Sequence, residues 1–371
     1  MSGGLEDMLA SCVRNSASGE EFWSSTSDYL RRLVPFDGAC WFGFDPSTLL
    51  ASYPIRVENI DQGHCESYWE RECKINDALL FRDLAKSRVP AGTLYAATDN
   101  QPDRSPRYRE YLAPQNFDDE LRAAFRIGGK TWGAVDLHRR RGKAPFAEKD
   151  VALVARAGTA IAGGLRKLAV QEHLGQASKA PEGTGTALFE HSGRLISFDD
   201  QADRWFTEIG GPQWARRPLS MTAVWAVVFR AANVHVGRDW GPSEVRLRTG
   251  RRQWIMLNAS VLRRVGNPSS PGPVALSVSR SVGWDIAPLL IEAFGLTPRE
   301  QEVCEAAIRG LSNQEIAAGL GLSAHTVRDH LKPIFAKVGV ASRGELAARL
   351  FSDLYEPRIL APGADVVHAY F

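Results

Sequence analysis

Residues 324–332, AHTVRDHLK, place His325, Arg328, Asp329 and Lys332 at steps of three and four, the spacing that lines one side of an α-helix. On such a ridge guanidinium and ammonium groups can donate to the guanine edge in a major groove, and a carboxylate can accept from cytosine. Val327, Leu331, Ile334 and Val338 recur between them at steps of four, three and four, which marks a buried face. The polar ridge is therefore expected to point outward from a helix anchored by its apolar side.

The neighbouring residues supply what would position that helix. In Thr297-Pro298-Arg299-Glu300 the threonine can cap, the proline is preset for the first helical position and the glutamate can close a capping box. Ser312–Glu315 and Ser342–Glu345 repeat the same grammar, and Gly310 can end the first helix. Gly321 offers a tight turn and Ser323 a cap ahead of the ridge. A short helix, a glycine turn and a longer helix with a polar, basic outer side describe a helix-turn-helix.

The run LTPREQEV…GLSNQEIAAGLGLSAHTVRDHLKPIFAKVGV…SRGEL, within 296–351, resembles the LuxR/GerE family. Glu300, Gly310, Ile316, Ala317, Leu320, Ser323, Thr326, Val327, Lys337 and Gly339 stand where that family has the same residues. The resemblance implies that Arg328, Asp329 and Lys332, with His325 on the same side, meet base edges of double-stranded DNA. It implies phosphate contacts for Ser312, Asn313, Thr326 and Lys337, together with the cap Ser323. Pro333 departs from the family pattern: inside a helix it removes a donor and crowds the carbonyl of Asp329, at a typical cost of ~3 kcal/mol. The angle and reach of Lys332 depend on how the helix absorbs it.

The formal net charge is only +2, so attraction to nucleic acid has to be local. Glu300, Glu302, Glu305 and Glu315 also offset the basic residues of the segment, which favours a homodimer on a two-part site over a tight monomer. RNA polymerase is a further candidate partner.

Ahead of this segment, the pattern predicts a helix over Glu21–Val34, a buried strand at Ala39–Phe44 and a hairpin of Leu121–Ile127 with Thr131–His138 turning at Gly128-Gly129. A long helix over Phe146–His173 follows. Together with the phrase WGAVDLHR and the FAEKDVALVARAGTAIAGGL after it, this order resembles a GAF domain, assigned to 1–174. The resemblance implies a small-molecule pocket between sheet and irregular middle, where Tyr53, His64, Tyr68, Trp69, Tyr95, Tyr108 and Tyr111 lie. The same aromatics suit a packed core equally well. His64 beside Cys65 is a lone pair of candidate ligands, not a metal set.

Residues 175–185 read as a linker, and 186–283 as a second block. Strands are predicted at Thr186–His191, Arg194–Asp199, Ser243–Arg248, Gln253–Arg263 and Val274–Ser281, with helices at Asp200–Ile209 and Leu219–Val234 and a polar, proline-rich loop at 266–273. This order, with LFEHSGRLISFDDQADRWF, resembles a PAS domain. Arg246, Arg248, Arg251, Arg252, Arg263 and Arg264 would form a solvated basic face. The expected fold class is multidomain α+β: a GAF-like antiparallel sheet with helices, a PAS-like domain, and an all-α four-helix helix-turn-helix at 289–354 followed by a tail at 355–371.

Several classes lack the residues they need. The scattered Cys12, Cys40, Cys65, Cys73 and Cys304 match neither a disulfide framework nor a zinc module. No HExxH, GxSxG or GxxxxGK[ST] motif occurs, so no catalytic residue and no cofactor is assigned and an enzyme is not expected. No apolar run approaches a membrane span and the N-terminus lacks a secretory pattern, which points to the cytoplasm. The expected function is a signal-responsive, DNA-binding regulator of transcription. The alternatives are an acyl-lactone receptor, on Tyr68-Trp69 and Asp77, or a protein-interaction module without a small-molecule ligand.

Overall fold

The computed structural model describes residues 11–12, 16, 18–61, 65–173, 183–216, 221–249, 253–281 and 283–350. Its first sheet is laid down by α1 (Gly19–Leu33), β1 (Gly38–Phe44), β2 (Ala51–Glu58), α2 (Cys65–Lys74), α3 (Phe81–Leu84), β3 (Ala91–Thr93), α4 (Leu94–Ala97), β4 (Phe117–Ile127), β5 (Lys130–Arg140) and α5 (Glu148–His173). The strands are antiparallel in the order β2-β1-β5-β4-β3. The Gly-Gly turn forms as expected: Ile127 pairs with Lys130, and Gly128 and Gly129 take φ of 61° and 80°, which two consecutive side-chain-bearing residues would resist.

Because β1 is buried along its whole length, alternate residues serve two separate cores. On one side Trp41 meets Trp23 of α1 at 5.2 Å between ring centroids, and both approach Phe125. On the other side Phe42 packs on Trp69 of α2 at 5.2 Å and on Phe81 of α3 at 6.0 Å.

The second sheet follows with β6 (Gly185–Phe189), β7 (Leu195–Phe198), α6 (Asp200–Gly210), α7 (Thr222–His235), β8 (Glu244–Arg248), β9 (Trp254–Arg264) and β10 (Asn267–Arg280). Its order, β7-β6-β10-β9-β8, repeats that of the first: second, first, fifth, fourth and third along the chain. The loop expected at 266–273 is not there. Strand β10 begins at Asn267, immediately after a turn at Val265-Gly266, and its register slips between Asn267 and Pro271 and again between Pro271 and Val274. Such slips let proline stand in a strand, because the ladder is already interrupted where its missing N–H would fall.

Residues Met1–Arg280 form one compact unit that holds both sheets. Helix α7 explains the joining: TAVWAVVFRAANVH is apolar almost all round, so it needs neighbours on both sides. It packs on β8, β9 and β10 of its own sheet and on α2 and β2 of the first. Polar groups fix the match. Asn233 donates to the carbonyl of Cys73 at 2.7 Å, and Ser52 donates to the carbonyl of Arg246 at 2.7 Å. Arg246 itself is buried, with Nη1 3.1 Å from the fully buried Asp45, whose Oδ2 also accepts from the Arg246 N–H. Arg248 is buried as well, beside the Trp254 ring. The basic solvated face expected on this sheet is therefore corrected at these two positions; Arg263 and Arg264 are exposed, and Arg251 and Arg252 lie outside the described residues.

The second unit, Ser281–Phe371, is helical throughout its described part. It comprises α8 (Gly283–Ala293), α9 (Pro298–Ile308), α10 (Asn313–Leu320), α11 (Ala324–Val338) and α12 (Arg343–Leu350). Helix α8 adds one element to the four expected, and packs on α9 and α12.

Replacing Asp45 by Ala strands the Arg246 guanidinium in the core, and removing one member of a buried pair typically costs ~3–5 kcal/mol. Urea unfolding of the full chain should show that loss for Asp45→Ala and a smaller one for Asp45→Asn, which keeps an acceptor for the Arg246 N–H. An unchanged midpoint for Asp45→Ala would remove this pair from the forces joining the two sheets.

Candidate functional site

The capping grammar of the C-terminal helices is realised atom by atom. Glu300 N–H donates to Thr297 Oγ1 at 3.3 Å while Thr297 N–H donates to Glu300 Oε2 at 2.7 Å, and Ser312 with Glu315 forms the same reciprocal pair. At the third site Ser342 Oγ accepts from Glu345 N–H, but Glu345 reaches back to the N–H of Ala341 instead. Gly321 ends α10 at φ 63°, ψ 40°, the left-handed conformation that sets the turn into α11. Arg299 donates to the carbonyl of Leu320 at 2.6 Å, and Arg343 donates to Asn313 Oδ1 at 2.6 Å, so the ends of the short helix are tied to α9 and α12.

Val327, Leu331, Ile334 and Val338 of α11 are buried, and His325, Arg328, Asp329 and Lys332 are exposed. Asp329 braces this outer side: Lys332 Nζ donates to its Oδ1 at 3.0 Å, and His325 Nε2 lies 3.4 Å from its Oδ2. The Lys332 hydrogen bond holds the Asp329 carboxyl below the usual range, and the nearby His325 and Arg328 add to the effect. The helix runs unbroken through Pro333, and Ile334 beyond it remains buried.

The residues implied as phosphate contacts are placed less uniformly. Ser323 accepts from the Thr326 N–H at 3.0 Å as N-cap, and its hydroxyl lies 2.9 Å from that of Thr326. Ser312 is exposed and Asn313 half-buried at the start of α10. Lys337 is exposed, but its ammonium is engaged within the domain, donating to Glu300 Oε2 at 2.5 Å. Burial opposes ionisation of Glu300, yet the Lys337 ammonium and the Thr297 N–H outweigh it and lower its carboxyl below the ordinary value.

In the first unit the aromatic set divides. Tyr68, Trp69 and Tyr111 are buried together, with Tyr68 and Tyr111 at 5.4 Å between centroids. With Cys40, Phe42, Val57, Ile60, Asp61 and Thr222 they line a cavity of only ≈ 10 Å³, room for about one water. Tyr95 and Tyr108 lie elsewhere, both with hydroxyls on Asp118, and Tyr53 is exposed. His64 lies outside the described residues. Asp77 does not reach the cavity: Ser105 Oγ and the N–H of Arg107 donate to its Oδ2 at 3.0 and 2.9 Å, and the N–H of Ala78 to its Oδ1 at 2.7 Å.

Below Tyr68 lies a buried ionic layer that the spacing of residues did not disclose. Arg107 donates to both oxygens of Glu120, at 2.9 and 2.6 Å. Arg122 donates to Glu72 and to the Tyr68 oxygen, both at 2.9 Å, and lies 3.7 Å over the Phe81 ring. Tyr68 donates to Asp136 at 3.0 Å, and His138 Nε2 lies 2.8 Å from Asp136 Oδ1. Burial resists the charge on Glu120, but Arg107 and Arg122 prevail and hold it at about 2. Burial and then the Glu120 charge push Asp136 well up, and burial lowers His138 to about 4.

Glu300 yields a pH test. A carboxyl with a lowered folded-state pKa stabilises fully above its unfolded value of ~4.3, and that stability is lost as pH falls through the folded value. Thermal melts of the full chain followed at the helical band should lose midpoint below about pH 4.3, and Glu300→Gln should start lower at neutral pH with a flatter acid limb. Parallel curves for the two proteins would show that the Glu300–Lys337 pair contributes nothing.

Residues 295–350 match the family described as bacterial regulatory proteins, luxR family. A helix-turn-helix transcriptional regulator of the exeN 3′ region of Aeromonas salmonicida is 30% identical over 118 residues, 31% of this chain and 54% of that protein. The transcriptional regulatory protein UhpA of Escherichia coli is 46% identical over 56 residues, 15% of this chain and 29% of its own. The monoamine regulon transcriptional regulator of Klebsiella aerogenes is 35% identical over 111 residues, 29% of this chain and 48% of its own. The chain thus spans about half or less of the length of these curated relatives. Among solved structures, a GAF domain/HD domain protein from Geobacter sulfurreducens aligns over 45% of this chain and 97% of its own at 17% identity, with a TM-score of 0.30. A phage VqmA–DPO complex aligns over 48% of this chain and 87% of its own at 18% identity, with a TM-score of 0.24. The matched helices, with their capping boxes and left-handed turn glycine, are a GerE domain of the luxR family at the C-terminal end of this chain.

Proposed function

We propose that this chain is a signal-responsive transcription regulator that binds double-stranded DNA through α11 as a homodimer in the cytoplasm. The observation that carries the reading is the exposed ridge of His325, Arg328, Asp329 and Lys332 on a helix whose opposite side is locked into a luxR-family domain. Arg328 and Lys332 supply donors for guanine edges and Asp329 an acceptor for cytosine, while Ser312, Asn313, Ser323 and Thr326 lie where phosphates would pass. Lys337 joins them once a phosphate replaces Glu300 as its partner.

The first unit is the sensor in this reading. Residues 1–174 act as a GAF-like domain and 186–283 as a PAS-like domain, a pairing supported by their shared strand order and by the helix α7 they both pack on. A small molecule entering beside Tyr68, Trp69 and Tyr111 has to widen a cavity of ≈ 10 Å³, and the widening displaces α2 against α7. In the dimer such a shift changes the spacing of the two recognition helices, and only one spacing fits both half-sites. An acyl lactone is a poor candidate, since Asp77 is engaged by Ser105, Ala78 and Arg107. The closely packed aromatics favour a second reading, in which the first unit receives its signal from a protein partner without any small-molecule ligand.

Gel shifts on a genomic fragment selected by the wild-type chain test the DNA assignment. Arg328→Ala and Lys332→Ala should each weaken specific binding by ~1–3 kcal/mol with little change on random DNA. Undiminished selectivity in both variants would reject α11 as the reading helix. Mass spectrometry of small molecules that travel with the purified full chain separates the two sensor readings, since only the first expects a stoichiometric companion.

A further inference from the structure

We propose that Glu120, Asp136 and His138 form a binding site for one first-row divalent metal ion inside the first unit. The three side chains are fully buried, and their candidate ligand atoms all lie within 4.8 Å of one another. A tetrahedral ion with bonds of ~2.0–2.2 Å holds its ligand atoms ~3.3–3.6 Å apart, so side-chain rotations of about an ångström complete the set. Two carboxylates with one imidazole are a donor set that zinc, cobalt, iron and manganese accept.

The sheet supplies the placement. Glu120 on β4 is the cross-strand partner of His138 on β5, and Asp136 stands two residues before His138, so all three project from the same side. Ligands carried by paired central strands need little reorganisation to meet an ion.

An independent observation singles out this spot. His138 Nδ1 is buried without a hydrogen-bond partner, and His138 Nε2 and Asp136 Oδ1 face one another at 2.8 Å without hydrogen-bond geometry. Buried polar atoms are nearly always paired, and an imidazole set against a carboxylate oxygen with no hydrogen bond between them is an open ligand. Tyr68 Oη donates to Asp136 Oδ2, and Arg107 donates to both Glu120 oxygens, contacts that orient the carboxylates while leaving each a lone pair.

Charge points the same way. The ionic layer combines Arg107 and Arg122 with Glu72, Asp77, Glu120 and Asp136, so two positive groups face four carboxyl groups. Once a metal displaces the Asp136 proton, the layer has two more carboxylates than guanidinium groups, an excess that one divalent cation neutralises.

The experiment uses the purified full chain, stripped with a chelator and titrated with Zn²⁺ and with Co²⁺. The site predicts one bound ion per chain, visible d–d bands for Co²⁺, and an X-ray absorption spectrum of bound zinc fitted by nitrogen and oxygen ligands only. Asp136→Asn and His138→Gln should weaken binding at least tenfold, and Glu120→Gln should do so while far-UV circular dichroism stays that of the wild type. No stoichiometric uptake by folded wild-type chain overturns the proposal. So does a sulfur shell in the absorption spectrum, or unchanged affinity in the folded variants, since either puts the ion elsewhere. The absorption spectrum decides the matter even where a variant fails to fold.

Discussion

A helix that buries one side has no choice about what it shows on the other. Val327, Leu331, Ile334 and Val338 lock α11 into the core of the second unit, and the rest of the candidate interface depends on that constraint. The turn before it leaves no play: Gly321 takes the left-handed conformation and Ser323 caps within two residues, so the phase of α11 is set at its first turn. Pro333 could have undone this by kinking the helix. The helix nevertheless continues through it, with Leu331 and Ile334, on either side of it, both held in the core.

The first unit is governed by a different economy. Its two sheets could each have closed their own core, but the all-round apolar α7 is covered only when both are present. Polar groups buried at that junction, Asp45 with Arg246 and Asn233 with the Cys73 carbonyl, add directionality to what apolar contact alone would leave loose. Whatever moves α2 therefore moves against α7. Tyr68 and Trp69 sit on α2 beside the small cavity, and Thr222 at the start of α7 lines the same cavity from the other sheet.

Much of this was legible in the sequence, and the boundary of legibility is physical. Local rules found what local forces decide: the capping boxes at Thr297 and Ser312, the Gly128-Gly129 turn, the buried face of α11. They failed where the deciding partner is far along the chain. Arg246 reads as a surface charge until Asp45, two hundred residues away, is placed against it. The ionic layer of Arg107, Arg122, Glu72, Glu120 and Asp136 was missed for the same reason, although Arg122 and Asp136, each flanked by apolar residues in a predicted strand, were a usable signal: such a charge has to find a counter-charge inside. The proline-rich stretch at 267–273 misled in the opposite sense, since register slips accommodate prolines that otherwise argue for a loop.

The outer side of α11 also bears on how the protein would use its DNA-binding domain. Arg328 and Lys332 are cationic, and Asp329 cancels part of their field while steering Lys332 and His325. Non-specific attraction grows with the number of phosphates neutralised, so a helix with two cations and an internal carboxylate gains little from charge alone. Its discrimination has to come from hydrogen bonds to bases, which act only at contact. In the proposed function one such helix would give modest affinity, and two held at a fixed spacing would multiply it. In the proposed dimer that arithmetic would make a weakly charged reader sensitive to a signal: a change in the spacing would cost the second helix its contacts without altering a single residue in the first.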